Sequence, residues 1–285
     1  MPELPEVETI RRDLQQAIVG KKIKDVEIRL PKVFHGDKTG ILRKTIEGID
    51  RKGKILIIKL SSDKSLLIHF KLTGQLVWVP EAGERVTLGH PIPFAGSGLP
   101  AKTTHVIFEI DGGRLFFNDL RQFGWIKVVR SSELGVMSEL GKLGPEPFDK
   151  EFTVEYLRQI FSKTSKPIKL ILMDQGKIAG IGNIYANEAL FEAGIDPRKP
   201  AKQLDDEEIE QLRQSILRVL EDGLKYGGSS AADEAYIKPT GEPGSYQEHF
   251  RVYQRAGQKC PKCNGIVKRI ELGGRGTFFC HQCQK

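Results

Sequence analysis

Two Cys-x2-Cys pairs enclose the segment CPKCNGIVKRIELGGRGTFFCHQC, residues 260–283, and the 285-residue chain has no other cysteine. A tight turn at each pair aims two thiolates at one tetrahedral ion, and the 16 residues between the pairs are typical of a β-hairpin. Two disulfides are the alternative, which the reducing compartment that we expect disfavours. We therefore predict one structural Zn²⁺ ion with no open coordination position, and its ligands are Cys260, Cys263, Cys280 and Cys283.

Positive charge is concentrated in the same part of the chain. Residues 251–285 hold eight lysines and arginines against one acid, Glu271, whereas the other 250 residues carry 36 basic and 36 acidic side chains. A basic surface confined to one small module is typical of a nucleic-acid-binding protein. Within it, the stretch GGRGT at 273–277 places a single arginine at a glycine-rich hairpin tip, which can approach another backbone closely.

Residues 22–79 and 104–130 show the alternation of apolar and polar side chains that favours half-buried strands. Residues 80–103, with four prolines and four glycines, predict a long loop. These features favour a largely antiparallel β-sandwich. The predicted strands are Ile23–Leu30, Lys54–Leu60, Ser65–Val79, Thr104–Ile110, Arg114–Phe117 and Trp125–Val129.

From residue 151 the apolar residues recur with helical spacing. The stretch GIGN at 180–183 predicts a tight turn that opens a helix, where backbone N–H groups and the Asn183 side chain can bind a phosphate. A plain N-cap role for Asn183 is the alternative. Residues 227–250 are rich in Gly, Ser and Pro and predict a loop over a site. The predicted helices are Phe152–Ser162, Ile168–Met173, Ile184–Ala193 and Glu207–Tyr226.

The sequence therefore predicts a multidomain α+β protein. Its expected parts are a β-sandwich with a flanking helix at 1–133, a linker at 134–150, a helical domain with its loop at 151–250 and the four-cysteine module at 251–285. Composition is that of a globular protein, with 39% hydrophobic and 28% charged residues. We find no apolar run of transmembrane length and no secretory signal, so we expect the chain to stay in the cytoplasm. We also expect a monomer.

The N-terminal stretch MPELPEVE contains a candidate nucleophile. Removal of Met1 would leave Pro2 with a free secondary amine, and α-amino groups have a much larger free-base fraction at neutral pH than lysine side chains. Such an amine condenses with an aldehyde to a cationic iminium. Glu3 can transfer protons if the fold holds it within hydrogen-bond reach. A helix start over residues 5–20 is the simpler interpretation, but it does not explain Pro2 and Glu3.

Four short motifs make the chain similar to the bacterial formamidopyrimidine-DNA glycosylase family, which excises oxidised purines such as 8-oxoguanine. They are PELPEVE at 2–8, RKGK at 51–54, GNIY at 182–185 and GRGT at 274–277, and the resemblance spans nearly the whole chain. It implies a helix-two-turn-helix domain, a zinc finger, and double-stranded DNA with oxidised bases or abasic sites as the partner.

The resemblance also implies a glycosylase and an AP lyase of base excision repair in one site. Pro2 would attack C1′ of the damaged nucleotide, and Glu3 would assist base loss and ring opening. The resulting iminium acidifies the C2′ proton, so that elimination of the 3′ and then the 5′ phosphate leaves a one-nucleoside gap. Lys54 matches a lysine that contacts the phosphate beside the lesion, although by itself it is typical of a solvated strand lysine.

Phosphate contacts are implied for Asn183 and Arg275, which match residues that bind the backbone around the extruded nucleotide. Contacts from both sides favour a kinked duplex, from which the target base leaves the stack at a cost of about a few kcal/mol. His69 and Lys169 match further phosphate contacts, although a histidine in a strand is more often structural.

The space that the extruded nucleotide leaves is expected to be filled by protein side chains. Arg121 and Phe123 match residues that pair with the orphaned base and wedge between base steps; a polar turn with one core phenylalanine is the alternative. Leu72 stands where the family usually has a third wedge, a methionine.

Two loops depart from the family pattern. The loop at 80–103 is longer than expected, and the loop at 227–250, where the family recognises the damaged base, matches in its general composition but not residue by residue. Two other functions therefore stay open. One is a glycosylase for oxidised pyrimidines similar to endonuclease VIII. The other is a non-catalytic protein that binds damaged DNA, which would have no use for a free Pro2 amine.

Overall fold

The computed structural model describes residues 1–81, 86–89, 98–229 and 244–285. Much of the two predicted loops, at 80–103 and 227–250, lies outside the described residues. Within the first of them Val86–Gly89 forms a strand, so the prediction of a continuous loop there is wrong. The chain forms two compact units: Met1–Gly141 with Leu224–Gln247, and Lys142–Gly223 with Glu248–Lys285. The four-part division predicted above stays a prediction.

Helix α1, Leu4–Ile18, opens the first unit. Pro5 lies in its first turn, where the missing N–H costs nothing, and the apolar residues that recur at helical spacing are buried on one face. The helix predicted for residues 5–20 is therefore present. Its buried face includes Val7, Ile10, Leu14 and Ile18.

Ten strands of the first unit form two five-stranded sheets. The strands are β1 (Ile23–Ile28), β2 (Phe34–His35), β3 (Ile46–Lys52), β4 (Ile55–Leu60), β5 (Ser65–His69), β6 (Gly74–Pro80), β7 (Val86–Gly89), β8 (Thr104–Ile110), β9 (Gly113–Asp119) and β10 (Trp125–Val129). One sheet has the order β1-β8-β9-β6-β7 and the other β2-β10-β5-β4-β3. Only the β2–β10 pair is parallel among the described strands, so the largely antiparallel sandwich is confirmed.

One buried core joins the inner faces of both sheets and the apolar face of α1. Phe108 and Phe117 come from the first sheet, Ile58 and Ile68 from the second, and Leu14 from the helix. The outer face of the second sheet is covered as well. Leu134 in a 3₁₀ turn, Leu140 in the short helix α2 (Ser138–Gly141) and Met137 between these elements pack there on residues of β4 and β5. The stretch predicted as a linker from residue 134 thus begins with structured, packed residues.

The strand predicted over residues 65–79 is in fact two strands, β5 and β6. A tight turn separates them, with Lys71 at φ +50° and the N–H of Gly74 donating to the Phe70 carbonyl at 2.8 Å. A Cβ atom at position 74 would lie 2.4 Å from that carbonyl oxygen, so only glycine fits. The prediction missed this turn because the apolar alternation continues through it.

The remaining helices confirm the predicted helical region to within a few residues at each end. They are α3 (Val154–Ser162), α4 (Ile168–Leu172), α5 (Asn183–Ala193) and α6 (Asp206–Lys225). Gly223 of α6 lies against Tyr185 of α5, and a Cβ atom there would be 2.5 Å from the tyrosine ring, so the glycine permits close helix packing. In the part of the chain that is described, no helix combines the length and apolar character needed to cross a membrane.

Candidate functional site

Pro2 and Glu3 are held at the start of α1. Pro2 is buried, and Glu3, which is 3% exposed, is the N-cap residue of the helix. The N–H of Glu3 donates to Oε2 of Glu6 at 2.8 Å. The carboxyl group and the nitrogen proposed as acid and nucleophile therefore belong to adjacent, ordered residues.

Glu6 bonds to a second segment as well. Its other oxygen, Oε1, accepts the N–H of Ser229 at 2.8 Å, next to Gly228 at φ +82°. The start of α1 is thus joined to the first residues of the predicted 227–250 loop, of which 230–243 lie outside the described residues. Sequence reasoning gave Glu6 no role in the site, although its spacing of three residues from Glu3 is that of a capping box.

Lys54 lies in the two-residue turn between β3 and β4. Lys52 pairs with Ile55 across this turn, and Gly53 has φ +57°, a conformation that favours glycine at the first position of a hairpin turn. The Lys54 residue is only 5% exposed. Its position is therefore fixed by the hairpin, and the interpretation as one more solvated strand lysine is wrong.

His69 is brought close to Lys54 by strand pairing. It ends β5 and lies opposite Ile55, the residue after Lys54. Its Nδ1 accepts the N–H of Lys71 at 2.9 Å, so the ring proton of the neutral form is on Nε2. Burial, together with the positive charges of Lys71 and Lys54, lowers the pKa of His69 to about 3. At neutral pH this side chain is an uncharged N–H donor.

The lowered pKa of His69 makes the first unit less stable in acid. The imidazole stays neutral in the folded chain but takes up a proton below pH 6.5 in the unfolded chain. Its contribution to the free energy of unfolding is therefore complete above pH 6.5 and declines as pH falls toward 3. Between pH 7 and pH 5 we expect the parent to lose up to about 2 kcal/mol of unfolding free energy more than His69→Gln. Urea unfolding at the two pH values measures this difference; equal losses in parent and variant would contradict it.

Arg121 and Phe123 lie in an exposed turn after β9. The buried carboxylate of Asp119 holds this turn, because Oδ1 accepts the N–H of Arg121 at 3.1 Å and Oδ2 accepts that of Gly124 at 2.7 Å. Phe123 is 56% exposed, with the Arg121 guanidinium 5.1 Å from its ring centroid. It is therefore not a core residue, and the turn presents an exposed apolar ring.

Leu72 is connected to the same turn through its neighbour. Leu72 lies in the turn between β5 and β6, and the Thr73 hydroxyl accepts the Arg121 N–H at 3.0 Å and bonds to the Asp119 carboxylate. Thr73 and Asp119 thus hold both turns that carry the three predicted wedge residues. Sequence reasoning did not select Thr73 or Asp119, although an aspartate before a turn is a recognisable signal.

The four cysteines lie together in the second unit. Their sulfur atoms are all within 4.8 Å of one another, with 3.8 Å from Cys260 to Cys283 and 3.5 Å from Cys263 to Cys280. A tetrahedral Zn²⁺ with Zn–S bonds of about 2.3 Å requires separations of about 3.8 Å, so the residues fit this metal and not two disulfides. Burial acts to raise the pKa of Cys280, but the N–H groups of Cys283 and Gln282 prevail and lower it to about 7.

Arg275 is exposed at the tip of the zinc hairpin. The hairpin consists of β11 (Lys268–Leu272) and β12 (Arg275–Phe279), joined by Gly273 and Gly274 at φ +59° and +70°. Two residues of positive φ form the tight turn that suits paired strands. The predicted hairpin and the single arginine at its tip are both present.

Asn183 and Lys169 converge on this hairpin. Gly182 is the N-cap of α5 and Asn183 the first helical residue, so the N-cap interpretation of Asn183 is wrong. Nδ2 of Asn183 donates to the Gly276 carbonyl at 3.1 Å, and Nζ of Lys169 donates to the same carbonyl at 3.0 Å. Lys169 is fully buried and also bonds Oγ1 of Thr277 at 2.8 Å. Three predicted phosphate-binding residues are therefore neighbours, since Arg275 precedes Gly276.

Two further polar residues of α5 hydrogen-bond the four-cysteine module, and sequence reasoning did not identify them. Oδ1 of Asn187 accepts the N–H of Phe278 at 2.8 Å. The carboxylate of Glu188 accepts the N–H groups of residues 251, 252 and 253 at 2.8–3.0 Å. Both are about 1% exposed in a helix that is otherwise largely apolar, and an amide beside a carboxylate in such a stretch is the signal that could have identified them.

Three family models match successive parts of the chain. The formamidopyrimidine-DNA glycosylase N-terminal domain matches residues 1–126, and the H2TH domain of the same glycosylase matches residues 143–235. A zinc finger found in FPG and IleRS matches residues 257–285. Together these matches include nearly all of the residues considered above.

Known relatives and solved structures are similar over the whole length. The formamidopyrimidine-DNA glycosylase of Pelotomaculum thermopropionicum is 39% identical over 100% of this chain and 99% of its own. A Lactococcus lactis FPG variant in complex with Fapy-dG containing DNA has a TM-score of 0.88 and 34% identity, with 100% of both chains covered. Wild-type Lactococcus lactis Fpg with an oxidised pyrimidine containing DNA has a TM-score of 0.86 and 34% identity, again over 100% of both chains.

These matches agree with the fold, the four-cysteine cluster and the order of the motifs. The chain belongs to the formamidopyrimidine-DNA glycosylase family, the DNA glycosylases of base excision repair.

Proposed function

We propose that this protein removes oxidised purines from double-stranded DNA and then cleaves the strand at the abasic site, with the Pro2 amine as nucleophile and Glu3 as acid and base. The observation that carries the proposal is the place of the Pro2–Glu3 pair, buried and capping α1. A nucleophile accelerates a reaction only if it and its proton-transfer partner are held in place, and a frayed terminus would not do this.

The chemistry follows from a secondary amine and one carboxyl group. The Pro2 nitrogen attacks C1′, and the damaged base leaves with the proton that this nitrogen gives up. The C1′–O4′ bond then breaks as O4′ takes a proton from Glu3, which leaves a C1′=N⁺ iminium. The resulting iminium draws electrons from C2′, whose proton is lost as the 3′ phosphate leaves. Loss of a further sugar proton expels the 5′ phosphate, and water then hydrolyses the iminium to release the enzyme.

Residues of both units support DNA binding in this proposal. In the first unit, Lys54 in the turn before β4 and the neutral His69 at the end of β5 donate to phosphate oxygens, and β4 and β5 are paired. In the second, Arg275 at the hairpin tip and Asn183 at the start of α5 bind phosphates, while buried Lys169 holds the hairpin between them. Phosphate contacts position a protein on the duplex without reading its sequence, as suits a repair enzyme that meets lesions anywhere.

Wedge residues complete the binding site. Exposed Phe123 and the Arg121 stacked on it would enter the duplex together with Leu72 and fill the space left by the extruded nucleotide. The Zn²⁺ ion, held by four thiolates, is structural. We further propose that the protein acts as a monomer on the bacterial nucleoid in the cytoplasm.

Oxidised pyrimidines are the second candidate substrate class. The complex of Lactococcus lactis Fpg with an oxidised pyrimidine containing DNA favours considering them, because that chain is similar over its whole length. The family is named for formamidopyrimidine lesions, and these lesions derive from purines. We therefore propose oxidised purines as the first substrate class.

Covalent trapping tests the proposal. Three duplexes of one sequence are needed, with 8-oxoguanine opposite cytosine, thymine glycol opposite adenine, or no lesion. Each is incubated with protein shown by N-terminal sequencing to begin at Pro2, and borohydride is added to reduce the iminium. We expect rapid trapping and a one-nucleoside gap with 8-oxoguanine and none with the undamaged duplex. Faster trapping on thymine glycol would transfer the assignment to pyrimidines, and tight binding without any trapping would refute catalysis.

A further inference from the structure

Glu8, in the second turn of α1, is bonded by three arginines. Its Oε1 accepts from Arg11 and Arg12, both at 2.9 Å. Its Oε2 accepts from Arg11 at 3.0 Å and from Nε of Arg51 at 3.3 Å. Arg51 belongs to β3, and its side chain is only 9% exposed. A carboxylate in the helix that begins beside the proposed nucleophile is thus bonded to the strand that leads into the Gly53-Lys54 turn.

Arg51 bonds to that turn directly. Its Nη1 donates to the Gly53 carbonyl at 2.9 Å, while its Nε faces Glu8. A guanidinium is planar, so the directions of Nε–H and Nη1–H are fixed relative to each other. One rigid group therefore connects α1 with the backbone of the residue before Lys54.

We propose that Arg51 is a positioning residue that fixes Lys54 relative to the amine of Pro2, through Glu8 on one side and the Gly53 carbonyl on the other. This inference rests on the proposed function, in which Lys54 assists the reaction at the lesion. Gly53 at φ +57° favours a bent backbone at this point, and the Arg51 bond selects one orientation of the turn. The hydrogen bonds of the Arg51 guanidinium are charge-assisted and therefore stronger than neutral ones, which suits a residue that holds a turn in one orientation.

Arg51→Met tests the proposal. The variant keeps the apolar stem of the side chain and leaves Glu8 with two arginine partners, so no buried charge loses all its partners and the fold is retained. We expect kcat for cleavage of the 8-oxoguanine duplex to fall by about 10- to 100-fold, because displacements of about 1 Å have effects of this size. KM should stay within about twofold of the parent, and Arg51→Lys should recover part of the loss, since lysine reaches Glu8 without the second fixed donor.

Arg12→Met is the matched control. Arg12 bonds the same carboxylate, but it is 54% exposed and lies within α1 itself. We expect kcat of Arg12→Met within about twofold of the parent, as for an exposed ion pair of one helix. An equal fall in both arginine variants would show that the Glu8 charge cluster as a whole matters and would overturn the specific role of Arg51.

A cycle with Lys54→Met separates positioning from a general structural effect. If Arg51 acts through Lys54, Arg51→Met changes kcat little once Lys54 is already methionine. The inference would be refuted if Arg51→Met lowered kcat by the same factor in the parent and in Lys54→Met. It would also be refuted if Arg51→Met alone left kcat unchanged. If Arg51→Met fails to unfold cooperatively in urea, Glu8→Gln, which keeps an acceptor oxygen, replaces it in the same cycle. A parent that forms no trapped complex would instead refute the proposed function, so the two failures are distinguishable.

Discussion

A chain that retains its initiator methionine is expected to lose base excision and strand cleavage together, by at least about a thousandfold, as enzymes do when their nucleophile is removed. In such a chain the Pro2 nitrogen is part of an amide, and its lone pair is delocalised into the carbonyl group. Glu3 would keep its place beside this nitrogen as the N-cap of α1, but an amide nitrogen cannot form the iminium.

Insertion of a lysine between Met1 and Pro2 produces this chain, since methionine is retained before a large residue. The measurements are borohydride trapping, gel analysis of strand cleavage, and affinity for a duplex with an uncleavable lesion analogue. Affinity should change far less than activity, because the residues proposed to bind phosphates are not altered. Pro2→Gly is the control: it restores a free, though primary, amine and should still be trapped. Full activity in a chain shown by mass spectrometry to carry Met1 would refute Pro2 as the nucleophile.

Local spacing explains which parts of the site could be predicted from the sequence. Pro2 and Glu3 are adjacent in the chain, and the four cysteines form two tight turns, so their chemistry is visible without knowledge of the fold. The turn at Gly182 and the tip at Arg275 were found for the same reason, because glycine permits backbone conformations that other residues avoid and so marks tight turns. These are the places where a few consecutive residues determine the geometry.

The supporting residues are different, because their partners are distant in sequence. Arg51 bonds Glu8 across 43 residues, and Asn187 bonds Phe278 across 91. A buried polar side chain needs a partner, but the sequence does not say which one, since only the packed sheets and helices bring the pair together. The same holds for Asp119, the last residue of β9, whose bonds depend on Thr73 of another turn.

Removal of one zinc ligand is expected to have the second largest effect, a loss of DNA affinity of about a hundredfold or more in Cys280→Ala. Cys280 follows β12 directly, and its buried sulfur is 3.5 Å from that of Cys263. Without the metal the hairpin loses the energy that closes it, as in other small zinc modules. Arg275 at the tip and the Gly276 carbonyl that accepts from Asn183 are then displaced together. The phosphate contacts proposed for Arg275 and Asn183 are charge-assisted hydrogen bonds of about 1.5–3 kcal/mol each, and losing both corresponds to a fall in affinity of about a hundredfold or more.

The chain offers internal controls for this effect. His281 lies between two ligands but is exposed, so His281→Ala should keep both the metal and the DNA affinity. Both tryptophans of the chain, Trp78 and Trp125, are in β6 and β10 of the first unit, so their fluorescence reports on the sandwich alone. We expect Cys280→Ala to lose zinc by elemental analysis and to retain the parent's tryptophan spectrum and urea midpoint. A zinc-free variant that binds damaged DNA as tightly as the parent would show that the module contributes no contact, and Arg275 would then have no role at the phosphates.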